Sequence, residues 1–395
     1  MKNNHKKRKW IKPRHKASYF ILRLIFRPFL SIKYKFRTKN LEKITPKNCL
    51  IVANHQTALD PFMLSLSFRR PVYFMASSDV FTWGLLSKII KFLVEPISKS
   101  KSKVDINAIK STLQFLKEKG TVCIFPEGNR TLSGKVWEIG NSMAKLAKKA
   151  KVPLVIYRIS GGYGAEPRWG NKVRKGRVTG EIVNILSADM LEKMSVEEVN
   201  AEIIKGIDCD DTMLGVRFKD KKRAEFIERA IYCCPNCGAF NTIYSEKEKF
   251  ICKNCDLKAE YTETLKINLI NGKTFGDTVY HWFTKQKDKL ATLIQSAKDN
   301  EILFCDEVEV RKIEGNNRKK LGQMHLEGSK NQITLSANGK TNNYFFKSIM
   351  GATILGRRKI NFYLNDNEIL QLKGNKRFNS VKYLHLYEIY KSMEK

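Results

Sequence analysis

Residues 49–61 read C-L-I-V-A-N-H-Q-T-A-L-D-P. Five apolar residues run without a polar interruption into Asn54-His55, and Asp60-Pro61 follows a short turn. An unbroken apolar run bounded by turn residues reads as a strand buried on both faces, as in a parallel sheet. The spacing then predicts a helix over 58–68, ending before Pro71. The His55/Asp60 pair is a candidate dyad, but spacing alone does not establish one. With six histidines and fourteen aspartates in 395 residues, an Asp five places after some His is a chance event about one time in five. The surroundings have to decide.

Working outward, Val72–Ala76 reads as a second strand, and 81–94 reads as a helix carrying Trp83. That helix serves equally as core or as a second membrane-touching surface, because both uses need the same apolar face. Asp105 can cap a helix with Ile106, Ile109, Leu113 and Leu116 on one face, which Gly120 ends. Thr121–Phe125 is the next strand, a helix is expected near 139–150, and Val152–Ile159 follows as a strand. Lys175–Leu186 reads as the last strand of the layer, with helical pieces over 195–206 and 218–232. Alternating strands and helices predict an α/β fold, a layered, mostly parallel sheet with flanking helices.

The charge is strongly basic, 73 Lys+Arg against 39 Asp+Glu, a net +34. Such an excess calls for an anionic partner: nucleic acid, an anionic membrane surface or a phosphorylated substrate. Residues 1–40 hold fourteen Lys/Arg and no acid. Within them, residues 19–36 are apolar but broken by Arg23, Arg27, Pro28, Lys33 and Lys35. A spanning helix needs about 20 mostly apolar residues, and no signal-peptide pattern is present. Arg23 and Arg27 share a helix face. The pattern predicts an amphipathic segment lying in the interface, its basic side chains reaching for headgroups. It implies a peripheral or monotopic protein on the cytoplasmic face of the cell membrane.

Nine cysteines without a secretory pattern argue against a disulfide framework. Cys234-Pro-Asn-Cys237 and Cys252-Lys-Asn-Cys255 instead form two C-x2-C turns fourteen residues apart. Two such turns can close a tetrahedral thiolate site, so structural zinc is expected on Cys234, Cys237, Cys252 and Cys255. No open coordination position is implied, so a catalytic metal is not expected. Cys233 is off-register, and Cys49, Cys123, Cys209 and Cys305 read as small core residues. From about 300 onward, short β-like runs precede a helical stretch at 380–390, predicting a β-rich module closed by a C-terminal helix.

Two blocks, Asn54-His55-x4-Asp60 and Phe125-Pro-Glu127-Gly128-Asn-Arg130, stand at two strand ends. Together they resemble the glycerolipid acyltransferase family, whose bacterial members acylate 1-acylglycerol-3-phosphate to phosphatidate. The likeness covers roughly residues 15–200. It implies His55 and Asp60 as catalytic residues, and Glu127, Gly128 and Arg130 as acceptor-binding residues. Where the family carries a phosphate-contacting Arg, this chain offers Lys99 or Lys101, a point charge without the bidentate fork. Near Val152–Tyr157, Ile156 stands where a second proline is usual. The strands and helix after 263 resemble pleckstrin-homology-like domains.

The chemistry of the residues agrees with that resemblance. Acyl transfer from a thioester needs a base to take the acceptor hydroxyl's proton, which a neutral His55 can be, with Asp60 on its other ring nitrogen. The expected function is transfer from acyl-CoA or acyl carrier protein to a lysophospholipid acceptor, with an anionic membrane surface as partner. An acyltransferase for another lysophospholipid or glycolipid is one alternative. A zinc-ribbon nucleic-acid-binding protein is the other; basic charge suits it, but it leaves both motif blocks unexplained. The expected organisation is 1–40 interface segment, 41–207 acyltransferase domain, 208–232 helical connector, 233–262 zinc ribbon and 263–395 β-rich module.

Overall fold

The computed structural model describes residues 9–39, 41–77, 85–99, 105–299, 301–315, 317–365 and 368–394. Lys101 and Trp83 lie outside them. The chain forms two compact units. The first holds the chain to Thr131, Lys135–Ala165 and Lys175–Leu214; the second holds Leu132–Gly134, Glu166–Arg174 and Gly215 onward.

The first unit begins with helix α1 (Pro13–Lys33), then β1 (Arg37–Thr38), β2 (Cys49–Ala53), α2 (Asp60–Leu66), β3 (Val72–Ser77), α3 (Leu85–Val94) and β4 (Ile97–Lys99). It continues with α4 (Ile106–Lys117), β5 (Thr121–Ile124), α5 (Ser142–Ala150), β6 (Leu154–Ser160), α6 (Gly162–Ala165), β7 (Thr179–Leu186), α7 (Ala188–Lys193) and α8 (Val196–Ile207). The sheet order is β1-β7-β6-β2-β5-β3-β4. Strands β6, β2, β5, β3 and β4 run parallel, as the continuous apolar runs predict. Cys49–Ala53 and Thr121–Ile124 are buried along their whole length. Asp105 caps α4 by accepting from Ala108 N.

The expected last strand departs from the pattern: β7 is antiparallel to β6. The connection between them, residues 161–178, carries only the four-residue α6 and no crossover helix of the kind that joins parallel strands.

Helix α1 departs from the expected interface segment in the placement of Arg23, which bonds inward. Arg23 donates to Leu66 O at 2.8 Å and Phe68 O at 2.6 Å, and the Tyr19 hydroxyl to Ser65 O at 3.0 Å. These groups satisfy carbonyls that the end of α2 leaves open, so Arg23 is spent inside the fold rather than on headgroups. The outer face remains apolar, with Phe20, Ile21, Leu24, Ile25, Phe29 and Ile32 exposed, Leu24 at 77% and Ile32 at 81%. Ile89 and Phe92 of α3 are also exposed. Among the described residues no helix is long and apolar enough to cross a membrane.

The second unit starts with β8 (Ile243–Glu246), β9 (Lys249–Cys252), β10 (Lys258–Tyr261) and β11 (Ile267–Asn271), an antiparallel sheet in the order β11-β10-β9-β8. Helix α9 (Val279–Ser296) follows. Seven antiparallel strands come next: β12 (Phe304–Glu314), β13 (Asn317–Gly328), β14 (Gln332–Ala337), β15 (Lys340–Phe345), β16 (Gly351–Leu355), β17 (Lys359–Tyr363) and β18 (Glu368–Gly374). Their order is β15-β14-β13-β12-β18-β17-β16, and α10 (Val381–Met393) closes the module.

The helix expected over 218–232 is absent. That stretch is turns with a single 3-10 turn at Ile227–Arg229. Phe226 sits at φ +71, a left-handed conformation that stops a helix, and Ala224 N donates to Lys247 O of the ribbon. Cys305 is exposed rather than a core residue, because Phe304 takes the inner face at the start of β12 and Cys305 alternates outward. Helix α10 buries far more than one stripe: Lys382, Tyr383, His385 and Leu386 are buried beside the expected Val381, Leu384, Tyr387 and Ile389.

Candidate functional site

Strands β2 and β5 are adjacent and parallel, so His55 and Glu127 leave neighbouring strands at the same carboxyl edge. Lys99 ends β4 at that edge, two strands beyond β5. Ligands of open parallel sheets bind outside the carboxyl ends of the strands.

The turn after β2 is held from all sides. Asn54 is buried; its Nδ2 donates to Ile159 O and its Oδ1 accepts from Ile159 N, both at 2.8 Å. This locks the end of β2 to β6. Asp60 is 0% exposed. Its Oδ2 accepts from Gln56 N at 2.6 Å and Thr57 N at 2.9 Å, and its Oδ1 accepts from Thr57 Oγ1 at 2.6 Å. His55 Nδ1 lies 2.7 Å from the same Oδ2. A carboxylate only accepts, so Nδ1 carries a proton toward it, and Nε2 is the ring nitrogen left for a substrate. The His55 side chain is 21% exposed and stacks on Phe125 at 4.5 Å between ring centroids. Asp60 therefore orients the ring, and Phe125 fixes its plane.

Glu127, expected at the acceptor, is engaged by backbone on both of its oxygens. Its Oε1 accepts from His55 N at 2.6 Å and its Oε2 from Trp137 N at 3.1 Å. Both oxygens are engaged by backbone, so the side chain ties the two loops together. Desolvation pushes its carboxyl up to about 8, against the downward pull of the two N–H groups. Thr131 N donates to His55 O at 3.0 Å, a second tie between the loops. Gly128 is exposed at φ +65, where a side chain would be strained. Arg130 anchors Trp137 Nε1 through its carbonyl at 3.2 Å. Lys99 is half-buried, and desolvation draws its amine below the ordinary lysine range, opposed by Asp105.

A further support was not legible beforehand. Gln56 Oε1 accepts from Gly162 N at 2.8 Å and Tyr163 N at 3.3 Å, and its Nε2 donates to Asp211 Oδ1 at 3.3 Å. Asp211 is buried and accepts from Gly161 N at 2.7 Å and Gly164 N at 2.9 Å. A Cβ on Gly161 would lie 2.3 Å from Arg177 O, and one on Gly162 would lie 2.6 Å from Gln56 Oε1. The Gly161-Gly162 pair after β6 was the available signal; nothing in the sequence marks Asp211.

In the second unit, the sulfurs of Cys234, Cys237, Cys252 and Cys255 all lie within 4.8 Å of one another. Cys234 and Cys255 are 3.6 Å apart, Cys237 and Cys252 3.8 Å. A tetrahedral ion with metal–sulfur bonds near 2.3 Å separates its sulfurs by about 3.8 Å, so the set fits a four-thiolate metal. The two turns support each other: Asn236 Nδ2 donates to Cys255 Sγ at 3.3 Å, and Asn254 Nδ2 to Cys237 Sγ at 3.6 Å. Each knuckle asparagine thus holds a sulfur of the opposite turn.

Comparison with known proteins bears on the first unit. Residues 35–160 match the Acyltransferase family model. A probable 1-acyl-sn-glycerol-3-phosphate acyltransferase of Mycoplasma pneumoniae is 33% identical over 144 residues, 34% of this chain and 53% of that protein. A 1-acyl-sn-glycerol-3-phosphate acyltransferase of Pseudomonas aeruginosa is 28% identical over 144 residues, 34% of this chain and 53% of that one. The chain spans about half the length of the curated relatives it matches. A solved 1-acyl-sn-glycerophosphate acyltransferase from Thermotoga maritima aligns at TM-score 0.40 and 23% identity, covering 50% of this chain and 83% of that one.

Proposed function

We propose, from the match of residues 35–160 to the Acyltransferase family model and the likeness to 1-acyl-sn-glycerol-3-phosphate acyltransferases, that the chain is an O-acyltransferase moving an acyl group from a thioester to the free hydroxyl of a lysophospholipid. The acceptor is 1-acyl-sn-glycerol-3-phosphate, the product phosphatidate, and the donor acyl-CoA or acyl carrier protein. His55 Nε2 takes the hydroxyl proton as the oxygen attacks the thioester carbonyl. The carbon–sulfur bond then breaks, and the imidazolium returns the proton to the departing thiolate. Asp60 holds the ring and balances the transient charge. Transfer is direct, with no acyl-enzyme. Gly128, Arg130 and Lys99 face the acceptor, the two cations toward its phosphate, while Glu127 acts through the loop it ties to His55.

The observation carrying this reading is the 2.7 Å His55–Asp60 pair, whose carboxylate is already satisfied by its own turn. The lipid class is supported by the exposed apolar face of α1 and by a groove lined by Leu22, Phe26, Pro61, Phe62, Val72 and Leu93. Burying that face in the headgroup boundary of the cytoplasmic leaflet would bring the site to its substrate. The four cysteines hold structural zinc, which stabilises a ribbon over 233–262; 41–207 forms the acyltransferase domain, 208–232 the connector and 263–395 the closing module. The test supplies purified protein with lysophosphatidate and an acyl thioester and follows thiol release. Phosphatidate should form with wild type and be lost in His55→Ala; full turnover in that variant would sink the mechanism.

A further inference from the structure

Strands β17 and β18 place Lys359 directly opposite Lys373, and Asn361 directly opposite Gln371. Opposed residues and their i+2 neighbours share one face of a sheet, and Gln371 Nε2 donates to Asn361 Oδ1 at 3.0 Å. Arg311 of β12 flanks the same row, opposite Gln371. Like charges directly opposite destabilise a ladder, and the usual remedy is an acid between them. Among the described residues neither lysine has one. Glu309, which faces Lys373 across the ladder, is taken by Arg311 at 2.9 Å and Lys320 at 3.3 Å. Desolvation holds the Lys359 amine below the ordinary range, and Lys373, Arg311, Arg318 and Arg358 each push it further down.

The floor of this row is also incomplete. Asn361 is 0% exposed, and its Nδ2 has no partner. With the Asn361 oxygen taken by Gln371, its NH2 group is left without an acceptor. A buried donor left unbonded is destabilising. Water could bond it but would not offset the paired cations. Lys359 and Lys373 themselves are half-buried, so the row has a solvent-reachable rim over a closed floor.

We propose that Lys359, Lys373 and the Asn361 amide form an anion site for a phosphate monoester. A dianion balances two ammonium groups, which hold phosphate as point charges, and one of its oxygens accepts from the amide. A single carboxylate would leave one lysine uncompensated. None of these residues belongs to the candidate active site, so the proposal is independent of acyl transfer. The phosphate can come from a free metabolite or from a lipid headgroup.

Thermal unfolding of the full chain tests it, with inorganic phosphate, glycerol 3-phosphate or phosphatidate-containing vesicles added, against chloride at equal ionic strength and pure phosphatidylcholine vesicles. Phosphate should raise the wild-type Tm. Lys359→Gln/Lys373→Gln should raise the Tm without phosphate, because the repulsion is gone, and should weaken the phosphate response by about tenfold or more. Stabilisation by glycerol 3-phosphate points to a soluble source, and stabilisation by phosphatidate vesicles alone to a headgroup; either sustains the site if the double variant loses it. No wild-type response beyond chloride, or an equal response in the double variant, overturns it.

Discussion

The turn at 54–60 and the paired cysteine turns at 234–255 are both short, local constructions, yet they finish differently. Asp60 accepts from its own turn's backbone and from Thr57 and His55, so the first site is complete in protein alone. The cysteine site brings four sulfurs within 4.8 Å and surrounds them with contacts from the Asn236 and Asn254 amides, the Asn254 N–H and the Thr242 hydroxyl. Four thiolates at that distance repel one another unless a cation joins them. On the proposed reading the first turn acts on a substrate that comes and goes, and the second is completed once by zinc and kept.

The largest effect should come from breaking the second. Structural zinc contributes about 10–16 kcal/mol of apparent binding energy in small zinc domains. Removing the ion with a chelator, or Cys255→Ser, should abolish amide protection across β8–β11. Metal analysis should find one zinc per chain in the wild type and none in the variant. Intact protection after complete chelation would mean that the ribbon's apolar contacts suffice. His55→Ala should do the reverse: activity falls about 10²–10⁴-fold, worth about 3–5 kcal/mol in the barrier, while Tm changes little. A variant that loses both would erase the contrast between the two turns.

A smaller effect sharpens the claim that the first site is held from beyond its motif. Asp211→Asn turns one acceptor into a donor facing Gly161 N or Gly164 N. Gln56 should then slacken and His55 with it. The expected loss is roughly 10–100-fold in kcat with KM nearly constant, since misplacement of a reacting group is costly while substrate contacts survive. Equal losses in KM and stability would make Asp211 merely structural.

What could be read beforehand follows the locality of the cause. The parallel strands were legible because burial on both faces writes a continuous apolar run, as at Cys49–Ala53. The dyad and the cysteine turns were legible because their partners lie within a few residues or repeat a spacing. Asp211 was not, because its partners Gly161 and Gln56 lie 50 and 155 positions away. Helix α9 escaped because its buried stripe of Val279, Trp282, Leu290 and Ile294 is interrupted by Gln286. That amide is buried for a tertiary reason: it accepts from Tyr232 N and donates to Ala230 O. The helix expected over 218–232 fails for the same kind of reason: Ala224 N is paired with Lys247 O, and tertiary context overrides propensity.

A last predicted effect concerns Glu127, which belongs to the first turn's scaffold yet is titratable. Its carboxyl is raised to about 8 in the folded protein, by desolvation first, against an ordinary value near 4.3 in the unfolded chain. Between those values the folded state keeps a proton that the unfolded state gives up. Its contribution to stability is therefore fully present below about pH 4 and declines as pH rises through about 8. Glu127→Gln removes the ionisation but keeps an acceptor for one of His55 N and Trp137 N, so its baseline stability should fall slightly and its pH slope flatten. The measurement is denaturant unfolding of both proteins from pH 5 to 9. Wild type should lose its advantage over the variant as pH rises; an advantage that grows with pH would show that Glu127 is ionised in the folded state and that the loop tie is a charged one.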